Sequence, residues 1–321
     1  MALIVDIEKT IGKFHLKTAF QVEPSEIFGL LGESGCGKTM TLKCIAGIET
    51  PDRGKIILND RVLYDSKKKI NLPPQKRKIG YLFQDYALFP NMTVAQNINI
   101  VLHKKENIDL YLKQFYLEGL ENHYPSMLSG GQKQRCALAR MMASEPELLL
   151  LDEPFSAVDK TLKWNLELQI LDVLDTMKNP VIFVSHNRDE IHHLCQNVGI
   201  MEAGQMRDVG KKEDVFAHPK TAAAARMTGC ENVFPIKNET YTHVGIPCEA
   251  VAFVKNKQNA QITGNIERIF YEEEETILVI RIEQNHRIFY YRTGETRNKF
   301  EQGERIYLHV DPEKIWYLSS F

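Results

Sequence analysis

Short apolar runs bounded by glycine or acidic residues alternate with stretches of helical spacing through most of the chain. Glu26 to Leu31 has the length and polar bounds of a buried strand, with Phe28 in its core. Leu148 to Leu151 is four leucines, too short to cross a bilayer and suited to a parallel strand covered on both faces. Val181 to Val184 repeats that pattern. Between these runs, Leu42, Ile45, Ala46 and Ile48 mark one helix, and Gln132 to Met142 marks a second that stops before Pro146. Alternating strands and helices predict an α/β fold.

The first strand runs directly into Gly32-Glu33-Ser34-Gly35-Cys36-Gly37-Lys38-Thr39, followed by Met40 at the start of the helix. Gly32, Gly35 and Gly37 permit a backbone whose N–H groups point inward at phosphates. Lys38 supplies a cation for the β- and γ-phosphates, Thr39 a hydroxyl for Mg²⁺, and the helix N-terminus adds positive potential. A glycine-rich turn is the plainer alternative, and the strand-loop-helix context argues against it.

The leucine run ends in Asp152-Glu153, so two carboxylates stand at a strand's carboxyl end, where open α/β sheets bind ligands. Asp152 suits Mg²⁺, directly or through water, since that ion takes oxygen ligands and keeps several waters, while Glu153 is free to hold water as a general base. His186 follows the Val181 to Val184 run and reaches the same edge. Leu128-Ser129-Gly130-Gly131-Gln132 opens a helix whose N-terminus is an anion site, with Ser129 as its cap.

In that order these motifs resemble the nucleotide-binding subunit of an ATP-binding cassette (ABC) transporter of the importer type. The resemblance runs from about residue 2 to residue 235 and adds Gln84 in Tyr81-Leu82-Phe83-Gln84-Asp85 and Asp159 in Ser156-Ala157-Val158-Asp159. It implies a phosphate-loop NTPase cassette over residues 1–229, with a RecA-like core and a helical arm at about 86–145. ATP and Mg²⁺ are the implied cofactors, with Thr39, Gln84 and Asp152 at the metal and Lys38, Glu153 and His186 catalytic. It further implies that Ser129, Gly130, Gly131 and Gln132 of one chain face the phosphate loop of a second. The expected assembly is therefore a homodimer, with Asp159 on the crossing loop. For adenine stacking, Phe14 is the expected platform, and Ile11 occupies an equally plausible position.

In the arm, Ile98 to Leu120 has helix-compatible spacing. The resemblance puts Leu88, Phe89 and Pro90 near a groove for the membrane subunit; the alternative is that they close the arm's own core. After His218 the texture changes to β-branched and aromatic runs at Glu249–Val254, Gln261–Phe270, Thr276–Ile282, Arg287–Tyr291 and Arg305–Val310. Residues 230–321 accordingly resemble a small β-barrel regulatory domain of the oligonucleotide-fold (TOBE) kind. Glu272 to Glu275 reads as a solvated hairpin tip.

Composition narrows the partners. A net charge of -2 opposes nucleic-acid binding, and the clusters Lys67-Lys68-Lys69 and Lys76-Arg77-Lys78 read as solvated faces. No apolar run approaches the roughly 20 residues of a membrane span, so transmembrane permease subunits have to be separate chains. The expected location is peripheral, on the cytoplasmic face of the membrane, with an extracytoplasmic substrate-binding protein as an indirect partner. Six cysteines without a Cys-x-x-Cys pair fit reduced thiols. Cys36, among inward-pointing amides, is expected to have a lowered pKa and to react with thiol modifiers. Leu58 to Asp65 and Leu72 to Tyr81 are similar to molybdate importer ATPases; sulfate, iron, polyamine and sugar importers remain alternatives.

Overall fold

The computed structural model describes residues 3–102, 107–156, 160–175, 178–238, 240–272, 275–294 and 299–319. The chain divides into two compact units, Met1–Lys212 and Glu213–Phe321.

The first unit is built on one sheet of eleven strands among the described residues. They are β1 (Leu3–Ile11), β2 (Phe14–Val22), β3 (Ile27–Gly32), β4 (Arg53–Leu58), β5 (Arg61–Asp65), β6 (Ile70–Asn71), β7 (Ile79–Leu82), β8 (Leu148–Asp152), β9 (Val181–Ser185), β10 (Asn197–Glu202) and β11 (Gln205–Lys211), in the order β6-β5-β4-β1-β2-β11-β10-β3-β9-β8-β7. The run β10-β3-β9-β8-β7 is parallel throughout. Every residue of β3, β8 and β9 is buried, which explains why these strands read as unbroken apolar runs. In register, Leu31 lies beside Ser185 and Asp152 beside Val184, so the three strands end at one edge.

Behind β3 stands α1 (Lys38–Ala46), which presents Leu42, Cys44 and Ile45 to the core. Its far end is held by Arg77, which is fully buried rather than solvated between exposed Lys76 and Lys78. The guanidinium donates to the carbonyls of Cys44 (2.9 Å), Ile45 (2.7 Å) and Leu72 (2.8 Å) and to Asn71 Oδ1 (2.8 Å). A helix C-terminus leaves carbonyls unpaired, and a planar cation with five donors satisfies several at once. Gly47 leaves room for it: a Cβ there would meet Arg77 Nε at 2.5 Å.

The arm is more broken than its spacing predicts. In place of one helix over Ile98 to Leu120 there are α2 (Val94–Asn99) and α3 (Ile108–Gln114), with residues 103–106 outside the described set. Leu112, Phe115 and Leu117 are buried, but Phe115 and Leu117 lie beyond α3, and Leu110 is 66% exposed. Then come α4 (Gly130–Met142), α5 (Lys160–Asp175) and α6 (Arg188–Leu194). Asn97, fully buried on α2, bonds both the N–H and the carbonyl of Phe89 and the carbonyls of Met92 and Thr93. Phe89 and Pro90 are exposed and Leu88 is half-buried, so this segment does not close a core of its own.

The second unit begins within α7 (Lys212–Ala217), earlier than the expected boundary at residue 230, and continues with α8 (Ala222–Met227). Its strands are β12 (Val233–Pro235), β13 (His243–Gly245), β14 (Val251–Phe253), β15 (Ile262–Tyr271), β16 (Thr276–Ile282), β17 (Ile288–Thr293), β18 (Arg305–Val310) and β19 (Trp316–Leu318). They form a three-stranded sheet, β12-β13-β19, and a five-stranded antiparallel sheet, β14-β18-β15-β16-β17, of the kind found in oligonucleotide-fold domains. Leu278, Ile280, Phe289, Ile306 and Leu308 make its core. Asn232 ties the two sheets by bonding the N–H and carbonyl of Tyr290 at 2.8 and 2.7 Å. The β15–β16 hairpin closes with the Glu272 N–H on the Glu275 carbonyl, and the Glu275 side chain pairs with Arg292 rather than standing free in solvent; residues 273 and 274 lie outside the described set.

Arg77→Ala should strand the buried Ile45 carbonyl, take one of two donors from that of Cys44 and free that of Leu72, lowering stability by about 3 kcal/mol, measured by urea unfolding. Arg77→Lys should recover only part of that loss, since an ammonium cannot reproduce the fork.

Candidate functional site

The loop after β3 is shaped by close approach. A Cβ on Gly32 would come within 2.3 Å of the Met201 carbonyl, and Gly37, at φ 113°, caps α1 with no side-chain hydrogen bond. The first N–H groups of α1 therefore keep their capacity for an anion. Lys38 is 4% exposed and turned back onto the loop, donating to the carbonyls of Gly32 (2.6 Å) and Glu33 (2.9 Å). An ammonium has three donors, and the remaining direction approaches Cys36 Sγ at 4.0 Å.

An open cleft of about 350 Å³ lies over this loop. It is lined by Phe14, Ser34, Gly35, Gly37, Lys38, Thr39, Met40, Gln84 and Glu153, a volume and mixture of polar and aromatic walls suited to a small ligand. Phe14 is thus on the wall, its ring 3.1 Å from where a Gly37 Cβ would be, whereas Ile11 is 44% exposed and absent from the lining.

The acidic pair sits where β8 ends. Asp152 is 5% exposed; its Oδ1 accepts from Thr39 Oγ1 at 3.0 Å and its Oδ2 from the Tyr81 hydroxyl at 2.9 Å. Burial raises its pKa, against the smaller opposing pull of the Tyr81 and Thr39 hydrogen bonds. Glu153 turns into the left-handed region at φ 47°, anchored by its N–H to the Val184 carbonyl at 3.1 Å. That turn brings Glu153 Oε2 within 3.4 Å of His186 Nδ1. Behind His186, Ser185 Oγ accepts from the Asn187 N–H at 2.8 Å and donates to buried Glu190 Oε2 at 2.6 Å, which fixes the turn.

Gln84 is exposed at the cleft. Just after it the chain turns through two residues of positive φ, Tyr86 (62°) and Ala87 (43°). Arg140 of α4 holds that turn, donating to the carbonyls of Tyr86 (3.2 Å) and Ala87 (2.8 Å) and standing over the Phe89 ring at 5.1 Å. Neither Arg140 nor Tyr81 carries a local sequence signal for these contacts, because both partners are distant in the chain.

Ser129 caps α4 in a capping box: its hydroxyl accepts from the Gln132 N–H at 3.3 Å, and Gln132 Oε1 accepts from the Ser129 N–H at 2.9 Å. The N–H groups of Gly130 and Gly131 are left for an incoming acceptor. None of Ser129, Gly130, Gly131 or Gln132 lines the cleft. Asp159 lies outside the described residues.

Cys36 departs from expectation. It is 6% exposed, and burial pushes its thiol pKa up, with the Lys38 ammonium pulling the other way and not prevailing. All six thiols are free.

The parallel sheet, the phosphate-sized loop and the acids at its edge define an ATP-binding cassette. Residues 16–156 match the ABC transporter family. The chain is 30% identical over 344 aligned positions to the sulfate/thiosulfate import ATP-binding protein of Synechocystis sp., covering 98% of this chain and 95% of that protein. It is 38% identical over 217 residues to the molybdenum import ATP-binding protein of Yersinia pestis bv. Antiqua, covering 67% of this chain and 60% of that protein. A solved ABC transporter component from Clostridium perfringens aligns with a TM-score of 0.59 at 27% identity, over 67% of this chain and 90% of that one. The chain belongs to the ABC transporter family, among its importer-type ATP-binding subunits, and is an ATPase.

Mass mapping after brief treatment with a disulfide reagent at neutral pH should find half-buried Cys248 modified first, and Cys36 slower than a free thiol because burial disfavours its thiolate.

Proposed function

We propose that this chain energises an oxyanion importer by ATP-driven closure of a homodimer, with molybdate as the first candidate cargo. The observation that carries the dimer is that the capped N-terminus of α4 contributes no residue to the cleft over the phosphate loop. Each has anion-binding capacity, and a second copy brings the two together across one nucleotide. Relatives that import sulfate/thiosulfate and molybdenum support an oxyanion cargo; iron, polyamine and sugar are the alternatives.

The hard oxygen donors Thr39, Asp152 and Gln84 fit Mg²⁺, which takes few protein ligands and keeps its waters. Once bound, the cation would neutralise charge on the β- and γ-phosphate oxygens. On nucleotide entry the phosphates compete with the Gly32 and Glu33 carbonyls for the Lys38 ammonium. A charge-assisted bond to a phosphate is the stronger of the two. Phe14 stacks on adenine. Glu153 accepts a proton from the attacking water, while His186 orients that water toward the γ-phosphorus, in line with the leaving oxygen. Gly130 and Gly131 of the partner copy donate to the γ-phosphate, Ser129 and Gln132 hold that helix end, and Asp159 contacts the partner.

No helix among the described residues is long and apolar enough to cross a membrane. The proposed assembly therefore docks on separate permease subunits at the cytoplasmic face, served by an extracytoplasmic binding protein. Exposed Phe89 on the Arg140-held turn suits such docking. Residues 230–321 act as a regulatory domain on a cassette of residues 1–229.

Glu153→Gln should lower ATP turnover at least about 100-fold while leaving ATP binding intact, and should accumulate an ATP-bound dimer on size exclusion. A variant that stays monomeric with ATP, or turns over at the parent rate, sinks this mechanism. Cargo is tested by ATP-dependent uptake of molybdate, sulfate, iron and putrescine in vesicles reconstituted with the permease.

A further inference from the structure

Asp152 has both carboxylate oxygens engaged by hydroxyls that approach from different sides. Thr39, on the first turn of α1, holds Oδ1 at 3.0 Å; Tyr81, on β7, holds Oδ2 at 2.9 Å. An ionised carboxylate only accepts, so the phenol is the donor. Its position is constrained twice. The backbone of Tyr81 is in parallel register with Leu150 of β8, two residues before Asp152, and its ring stacks on Phe83 at 4.2 Å between centroids and 27° between planes.

We infer that Tyr81 is a positioning residue that sets the cation preference of the nucleotide site, favouring Mg²⁺ over Ca²⁺ by restricting Asp152 to a single ligating oxygen. This rests on the reading of Asp152 as a Mg²⁺ ligand. With Oδ2 pinned toward β7, only Oδ1 faces Thr39 and the loop. Loss of the phenol frees the carboxylate to rotate about its last torsion and present both oxygens to a cation. Ca²⁺ accepts one- or two-oxygen carboxylates at about 2.3–2.6 Å in flexible geometry, whereas Mg²⁺ demands near-octahedral contacts at about 2.0–2.1 Å. A rigid hydroxyl outside the ligand shell therefore separates two ions of equal charge. It does so by angular constraint rather than by field strength.

The test is Tyr81→Phe, which deletes one oxygen and keeps the stacked ring. With a non-hydrolysable ATP analogue bound, Mn²⁺ is followed by electron paramagnetic resonance and displaced by Mg²⁺ or by Ca²⁺. In the variant the ratio of the Mg²⁺ to the Ca²⁺ concentration needed to displace Mn²⁺ should rise about tenfold, the size of effect seen for other outer-shell partners of a metal ligand. The ratio is the readout, since a folding defect weakens both cations together. An unchanged ratio, or equal loss for both ions, overturns the inference. Asp152→Asn separates the two levels: if it binds Mn²⁺ as the parent does, the reading of Asp152 fails. If it loses Mn²⁺ while Tyr81→Phe keeps the parent ratio, only the role of Tyr81 fails.

Discussion

Parallel pairing of β3, β9 and β8 determines where chemistry can occur in this chain. Their backbone hydrogen bonds align Leu31 with Ser185 and Val184 with Asp152, so the loop, the imidazole and the acidic pair emerge side by side. Because these strands are covered on both faces, their position is specified by packing as well as by the ladder. The residues proposed as catalytic come from segments far apart in sequence, and the register brings those segments together. With the left-handed turn at Glu153, it gives the 3.4 Å approach of Glu153 to His186.

Two guanidinium groups extend that order outward. Arg77 closes the far end of α1 and so steadies the helix whose near end is open to an anion. Arg140 grips the turn after Gln84 from α4, the helix that begins at Ser129. In both cases a cation is spent on main-chain carbonyls instead of on a carboxylate. Such contacts hold backbone shape, because the partner is the chain itself and cannot swing away as a side chain can. Arg140 also gives the Gln84 turn and the Ser129 helix a direct mechanical connection.

Much of this was legible from residue order. The phosphate loop, the leucine strand with its acids, the capped helix at Ser129 and the strands Thr276–Ile282 and Arg305–Val310 all declare themselves through short-range patterns, and short-range patterns survive translation into structure. What misled were residues whose state depends on distant neighbours. Arg77 looks solvated between two lysines because nothing nearby reveals the carbonyls of α1. Cys36 looks activated by amides, yet its burial outweighs them. The arm's apolar spacing suits a longer helix, but Phe115 and Leu117 reach the core from beyond the end of α3. Tyr81 gives no sign of its hydrogen bond to Asp152, since a tyrosine in a strand is ordinarily just packing.

The left-handed turn at Glu153 has a consequence for how such a protein drifts. A branched-free but full-sized side chain at φ 47° costs on the order of 1 kcal/mol relative to ordinary backbone, a strain that asparagine or glycine would relieve. Selection for yield or heat tolerance alone would therefore push this position away from glutamate. Under the proposed mechanism, selection on turnover keeps it there. A population freed from the need to hydrolyse ATP should lose the proposed general base early, while the loop, which also shapes the fold around Gly32 and Lys38, persists. Nucleotide-binding relatives without turnover would then be an accessible by-product of this architecture, reached by a single step that makes the chain sturdier.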